Sequence, residues 1–396
     1  KACGRRRHKA TMKFLHTSDW HVGKTIRGRS RADEHDAVLA EIVGIAEAEA
    51  VDLVLVAGDL FDSAAPTPDA ERCVYRTLLD LAHDGERPVV VIAGNHDNAR
   101  RLAAVAPLLA LGGVVVVPML TAPDDGGVID VEAGGERARI AVVPFPSQRY
   151  IVTAADLLSL DADQHGGRYA ERVRQAIDLL ASGFGDDTVN LLVAHLMVVG
   201  GQAGGGERAA HLFDDYSVPA TAFPSGTHYV ALGHLHRQQS IPGPCPAWYC
   251  GSPLQLDFGE TQDDKAVLVV EATPGTPAQV RSVPLTAGRR LRTIEGDLTA
   301  LGALAGSTGD DFLRIRVDEP ARAGLADEVR DLFPDAVEVT VVRPEAERRE
   351  RAERAGRTPQ ELFDLYLAEQ DATDPDLSAL FAELLDAVTS DEGVVG

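Results

Sequence analysis

The sequence predicts an α/β protein of two packed sheets flanked by helices, followed by a compact α+β module and terminal helices. Three observations carry this prediction. Short apolar runs, the clearest of them valine-rich, at 13–17, 53–57, 89–93, 191–194 and 229–232 are interleaved with stretches of helical spacing. Each of those five runs ends in Asp, Asn or His, the pattern of an open sheet whose strand ends line one crevice. After residue 285 a second, smaller alternation begins.

The elements follow in order. Residues 1–11 hold Arg5, Arg6, Arg7, His8 and Lys9 and are set apart as an extension or expression-derived segment. Strand 13–17 leads into Ser18-Asp19-Trp20-His21 and a basic loop with Lys24, Arg27, Arg29 and Arg31. Val38, Leu39, Ile42, Val43 and Ala46 place a helix over 34–50, and strand 52–57 then delivers Asp59. Pro66-Thr67-Pro68 breaks the chain before a helix carrying Cys73, Leu78, Leu79 and Leu81. Pro88 opens the strand that reaches Gly94-Asn95-His96-Asp97, and a helix over 100–111 precedes the run 114–117. This alternation reads as βαβ units.

The pattern then changes. Runs 128–132 and 139–143, punctuated by Gly126-Gly127 and Gly134-Gly135, predict a hairpin closed by Pro144-Phe145-Pro146. A helix over 168–180 precedes strand 189–194 and His195. Segment 200–206 has five glycines but no strand-to-helix context, so it is expected to be a mobile loop and not a phosphate cradle. Gly233-His234-Leu235-His236 ends the next strand, and runs 266–270 and 280–285 are expected to finish the second sheet. Strands 290–294, 312–317 and 337–342 with helices 298–305 and 323–332 form the later module, assigned to 286–343 after a main domain of 12–285.

The tail, 344–396, differs again. Residues 344–357 mix Arg and Glu densely. From 361 onward there are ten acidic and no basic residues, yet Leu362, Phe363, Leu365, Tyr366, Leu380, Phe381, Leu384, Leu385 and Val388 recur at helical spacing. Such helices suit a basic partner surface or packing back on the body.

With 38 basic and 61 acidic residues the net charge is −23, which argues against nucleic-acid binding through bulk charge. Any DNA would be met by local basic patches, bound metal or a partner. The four cysteines, Cys3, Cys73, Cys245 and Cys250, show no zinc spacing and read as reduced thiols of a cytoplasmic protein. No apolar run reaches the roughly 18 residues of a membrane span.

The residues at the five junctions suit phosphodiester hydrolysis with two divalent cations. Such chemistry needs an activated water and compensation for charge developing on the phosphoryl oxygens, and a bridging carboxylate is a natural way to hold two ions. Asp59 is the candidate bridge; Asp19, His21 and His236 would complete one site and Asn95, His195 and His234 the other. The mixture of imidazole, carboxylate and amide favours manganese or iron over magnesium. His96 is assigned a different role, stabilising the transition state or protonating the leaving oxygen, with Asp97 orienting its imidazole. His16, His83, His165, His211 and His228 lack motif context and read as surface or satisfied core residues.

Asp19-x-His21, Gly58-Asp59, Gly94-Asn95-His96-Asp97, His195 and Gly233-His234-Leu235-His236 resemble the five motifs of calcineurin-like metallophosphoesterases. The fuller wording at 16–24, 58–62, 232–236 and Gly251-Ser252-Pro253 is similar to the SbcD family, the nuclease subunits of bacterial SbcCD complexes. The resemblance is strong from 12 to about 285 and holds in layout beyond. It implies a four-layer αββα nuclease domain, a DNA-capping domain, and C-terminal helices that bind an SbcC-like SMC-family ATPase. It further implies manganese-dependent exonuclease action on duplex ends from the 3′ side and endonuclease action on single strands and hairpins. A dimer of nuclease subunits within a heterotetramer, acting in DNA end processing, repair and recombination and associated with the nucleoid, is implied as well. Asp62 stands where archaeal and eukaryotic relatives carry a histidine, so that histidine's DNA-handling role does not carry over.

A partner ATPase would supply most of the DNA-binding surface, leaving Lys24, Arg27, Arg29, Arg100 and Arg101 as candidate phosphate contacts. Two rivals are a phosphomonoesterase or small-nucleotide phosphodiesterase with the same metals, and a non-catalytic scaffold for the ATPase. The later module and amphipathic tail count against the first, and the complete ligand set against the second.

Overall fold

The computed structural model describes residues 11–147, 168–207, 217–341, 358–369 and 374–391. The expectations for residues 1–10, His165, His211 and 344–357, and for the side chains of Leu385 and Val388, lie outside them.

The main domain begins with β1 (Met12–Thr17), a minimal hairpin of β2 (Thr25–Ile26) and β3 (Arg29–Ser30), and α1 (Ala32–Ala48). Then come β4 (Leu53–Val56), α2 (Pro68–Leu81), β5 (Val89–Ile92), α3 (Ala99–Ala110), β6 (Val114–Val117), the hairpin β7 (Val128–Ala133) and β8 (Glu136–Val143), and α4 (Arg168–Ala181). It continues through β9 (Val189–His195), β10 (Met197–Val198), β11 (Ser217–Val218), β12 (Tyr229–Gly233), β13 (Gln239–Ile241), β14 (Ala247–Tyr249), β15 (Ala266–Thr273) and β16 (Thr276–Pro284). Local chemistry sets the helix starts: the Thr67 hydroxyl accepts from Ala70 N–H with Pro68 as the first helical residue, and Asn98 accepts from Arg101 N–H.

Two six-stranded mixed sheets result, ordered β16-β15-β1-β4-β5-β6 and β13-β14-β12-β9-β8-β7. Side-chain alternation decides which layer each residue joins. Leu53, Leu55, Val90 and Ile92 of the first sheet meet Ile140, Val142, Leu191 and Val193 of the second between the sheets. Val54, Val56, Val89 and Val91 face α1 and α2 on one outer side, and Ala141, Val143, Leu192 and Ala194 face α4 on the other. Strands covered on both faces have no need of polar alternation, which is why they read as continuous apolar runs. The architecture is the four-layer α/β arrangement.

One expectation is corrected. Residues 266–270 and 280–285 do not finish the second sheet: β15 lies antiparallel to β1, with Phe14 opposite Val270, and β16 pairs with β15 on the first sheet. The second sheet is extended instead by β13 and β14, strands too short to signal themselves in the sequence.

The later module holds three parallel strands, β17 (Leu291–Gly296), β18 (Phe312–Val317) and β19 (Ala336–Val341), with α5 (Leu298–Leu304) and α6 (Leu325–Leu332). Ile294, Leu301, Leu313, Ile315, Val317, Leu325, Val329 and Phe333 give it its own core. It meets the main domain where Ile26 and Phe258 pack with Leu291 and Phe312. Beneath that contact lies the buried Arg31, ion-paired with Glu34 at 2.7 Å and bonded to the carbonyls of Gln255 and Arg289. Two terminal helices, α7 (Pro359–Glu369) and α8 (Pro375–Asp391), are joined by the stacked rings of Phe363 and Phe381 and by Gln360 bonding Ser378. Among the described residues no helix is long and apolar enough to cross a membrane. Cys73, Cys245 and Cys250 are free and buried, and burial pushes the Cys73 thiol up to about 12.

Candidate metal centre

Parallel pairing of β1, β4 and β5 in one sheet and of β9 and β12 in the other puts five strand ends at one edge of the sandwich. The residues that follow those ends leave regular β geometry at once. Asp19, His21, Asp59 and His234 all have positive φ, at 53°, 47°, 53° and 106°. For non-glycine residues this conformation is costly and marks places where the surroundings dictate the backbone. Here it turns side chains inward that continued strands would point into a sheet face. Gly94 is required by close approach, because a Cβ there would collide with the Asp59 carboxylate.

The structure brings all seven candidate ligands together. Asn95 Oδ1 lies 3.0 Å from His195 Nε2 and 2.9 Å from His234 Nδ1. Asp59 Oδ2 lies 3.4 Å from His195 Nε2 and 3.5 Å from His21 Nε2. His21 Nε2 faces His236 Nε2 at 3.2 Å, and the carboxylate of Asp19 accepts the His234 backbone N–H. Three groups, Asp19 with His21 and His236, Asp19 with Asp59 and His195, and His21 with Asp59 and His96, each present ligand atoms within 4.8 Å of one another.

The chemistry of this donor set fits divalent cations. A carbonyl or carboxylate only accepts, so His195 Nδ1 must donate to Ala57 O at 2.8 Å, and His236 Nδ1 to Glu260 Oε1 at 3.0 Å. Their Nε2 atoms then face the centre, His195 toward Asn95 Oδ1 at 3.0 Å and Asp59 Oδ2 at 3.4 Å, and His236 toward His21 Nε2 at 3.2 Å. Acceptors converging on acceptors in a buried volume call for a cation, and imidazoles held from behind by oxygen are the usual support of metal-ligating histidines. The electrostatics agree, in that the acceptors that would hold a metal ion draw a proton onto His195. Burial works against a charged Asp59, yet His195, His21 and His96 hold its carboxyl well below the usual range. Burial likewise opposes a charge on His195, but Asp59 holds that imidazole up at about 9. Burial alone dominates at Asp19, pushed up to about 6.

His96 lies at the rim of the cluster, its ring edge-on to His21 with centroids 4.6 Å apart. The His96 backbone N–H donates to Asp59 Oδ1 at 2.8 Å, and its ring Nδ1 donates to the backbone carbonyl of Asp62 at 2.8 Å, which directs Nε2 away from that carbonyl. The expectation that Asp97 orients this imidazole is therefore corrected. The Asp97 carboxylate accepts the N–H groups of Gly94, Leu60 and Phe61 and staples the β4 and β5 loops together. Adjacency in sequence had suggested a contact that the turn points the other way.

Of the five candidate phosphate contacts, three are already engaged. Lys24 pairs with Asp62 at 3.1 Å, Arg27 with Glu338 of the later module at 2.6 Å, and Arg101 with Glu71 through two bonds. Among the described residues Arg29 and Arg100 form no ion pair. Asp62 also approaches His21 Nδ1 at 3.6 Å.

Several residues bonded to the candidate ligands carry no sequence signal of their own. Glu260 and Lys265 stand behind His236. Glu207 accepts from the N–H groups of His236, Gly204 and Gly205, which links the end of the glycine segment to the centre. Of the histidines without motif context, His16 is buried against the Tyr229 hydroxyl at 2.9 Å, His228 bonds Asn190 N–H, and His83 is exposed.

Comparison with known proteins agrees with this geometry. Residues 12–238 match the family model of calcineurin-like phosphoesterases, and residues 287–371 match that of the type 5 capsule protein repressor C-terminal domain. The chain is 38% identical over 283 residues to the SbcD component of the nuclease SbcCD of Bacillus subtilis, covering 71% of each. It is 35% identical over 289 residues to the same component from Rhodobacter capsulatus, covering 69% of each. Against that of Escherichia coli K12 it is 32% identical over 300 residues, covering 74% of this chain and 73% of the other.

Proposed function

We propose, from the premise that the chain belongs to the calcineurin-like phosphoesterase family and within it to the SbcD nuclease subunits, that it cuts DNA by metal-dependent phosphodiester hydrolysis. The observation that carries this reading is the convergence of Asp19, His21, Asp59, Asn95, His195, His234 and His236 from five strand ends on one buried volume. Asp19, His21 and His236 would hold one divalent ion and Asn95, His195 and His234 the second, with Asp59 between them. Bound ions of this kind supply Lewis-acid compensation for phosphoryl charge and an activated water. The mixed nitrogen and oxygen donors support manganese.

The chain's own residues do the rest. Four imidazoles and an amide, all neutral ligands, set against only two carboxylates leave a loaded site cationic by about two units, able to draw a phosphate into an acidic protein. His96, with Nδ1 fixed on the Asp62 carbonyl, offers Nε2 to the departing alkoxide as proton donor or charge stabiliser. Asp97 acts one step back, fixing the loops that carry Asp59 and His96.

The polarity of cutting, from the 3′ side of duplex ends with endonuclease action on single strands and hairpins, belongs to the same reading. So does a nucleoid-associated, cytoplasmic assembly with an SbcC-like SMC-family ATPase. Exposed Leu362, Tyr366, Leu377, Leu380 and Leu384 on α7 and α8 support docking of that ATPase. Exposed Leu79, Leu108, Leu111 and Val115 of the first sheet's outer layer support a second copy of this chain. The module with β17 to β19 is assigned as the capping domain, and Arg29 and Arg100 as the phosphate contacts that need no prior ion pair broken. End-labelled hairpin and linear duplex DNA incubated with Mn²⁺, with and without the ATPase, tests the whole. Cleavage that chelator abolishes is expected; turnover of small phosphate esters with DNA left intact would overturn it.

A further inference from the structure

We infer that Glu260 is a positioning residue that makes the two metal sites unequal, by fixing His236 from behind with a charged group; this rests on the two-metal reading above. Glu260 is fully buried. Its Oε1 takes the Nδ1 proton of His236 at 3.0 Å, and its Oε2 accepts from Lys265 Nζ at 2.7 Å and from Leu256 N–H at 3.1 Å. The same ammonium reaches the His236 backbone carbonyl at 3.0 Å and Ser252 Oγ at 2.9 Å. One clamp thus holds both the ring and the main chain of a single ligand. The glycine segment closes over it: a Cβ at Gly206 would stand 2.8 Å from Glu260 Oε1 and 2.9 Å from His236 Nδ1.

A buried ion pair is a poor device for stability alone, since well-packed apolar groups usually serve as well. Its value here lies in direction. A carboxylate behind an imidazole fixes the tautomer and raises the basicity of the inward nitrogen more than a neutral carbonyl does. The two ligand groups differ in this respect. His236 is hydrogen-bonded to the Glu260 carboxylate and His21 Nδ1 has the Asp62 carboxylate 3.6 Å away, whereas His195 is backed by the neutral Ala57 carbonyl. The Asp19, His21 and His236 site is therefore the tighter one, and Glu260 is its principal support.

The test is a Mn²⁺ titration of the full chain followed by electron paramagnetic resonance and calorimetry, with apoprotein melting measured alongside. Wild type is expected to bind two ions in separable steps. Glu260→Gln should weaken the tighter step by about 10- to 100-fold and leave the other in place. Because that change strands Lys265, the double variant Glu260→Gln with Lys265→Met restores charge balance; it should regain apoprotein melting temperature while the tighter step stays weak. Wild-type constants in both variants, an equal fall in both steps, or recovery of affinity with stability in the double variant would each overturn the assignment. Failure of wild type to bind Mn²⁺ would instead refute the reading beneath it.

Discussion

The metal-centre edge of the sheets and the terminal helices invert each other. At the first, Asp19, His21, Asp59, His195, His234 and His236 are buried polar groups; at the second, Leu377, Leu380, Leu384 and Tyr366 are exposed apolar ones. Both are departures from what folding alone asks, and such departures are where function is legible. The first implies a ligand that supplies charge; the second implies a partner that supplies cover.

Perturbing the first region should have the largest effects. Asp59→Asn is expected to lose bound metal and to lower hairpin cleavage by at least about 1,000-fold, since several kcal/mol of charge compensation disappear. Metal analysis after gel filtration, together with end-label assays, checks both. His96→Ala should lower cleavage by about 100- to 10,000-fold while both ions remain; equal metal loss in the two variants would contradict the separate roles. Stripping metal with chelator should reduce the melting temperature by several degrees, as expected when a ligand near 100 times its Kd contributes about 2.7 kcal/mol. Calorimetry showing identical apo and loaded transitions would count against a metal centre at this edge.

The second region should answer differently. Leu380→Glu with Leu384→Glu is expected to change stability by less than about 0.5 kcal/mol and to leave cleavage by the isolated chain intact. Capture of the ATPase on an affinity column should be lost; retained capture would remove these helices from the interface. The smallest effect is expected for Arg29→Ala with Arg100→Ala, which should reduce the salt slope of duplex binding by about 1 to 2 units. Unchanged slopes would leave the DNA to other residues.

How much of this the sequence displayed depends on locality. The convergence of the five candidate ligand motifs was legible because each is a few consecutive residues at the end of an apolar run, and a strand end fixes where they go. The two-sheet architecture was legible for the same reason. The placement of β15 and β16 was not: β15 is mostly buried and carries no mark of which neighbour it pairs with, and the exposed edge strand β16 simply follows it as the other arm of a hairpin. Glu260, Lys265 and Glu207 were invisible for a different reason. They are common residue types whose roles come from reaching across 24 to 29 positions to His236, and nothing in their own neighbourhood records that distance. Arg27 failed as a free cation because its partner, Glu338, lies in another module.

The left-handed backbone at Asp19, His21, Asp59 and His234 bears on how this protein is best silenced. Alanine at any of them deletes the functional group but keeps a Cβ in a conformation that L-residues resist, so loss of chemistry and loss of foldedness become entangled. Glycine deletes the group and is at ease with that turn. A glycine at position 19 or 59 thus removes the carboxylate without adding backbone strain, so that what is lost can be traced to the side chain.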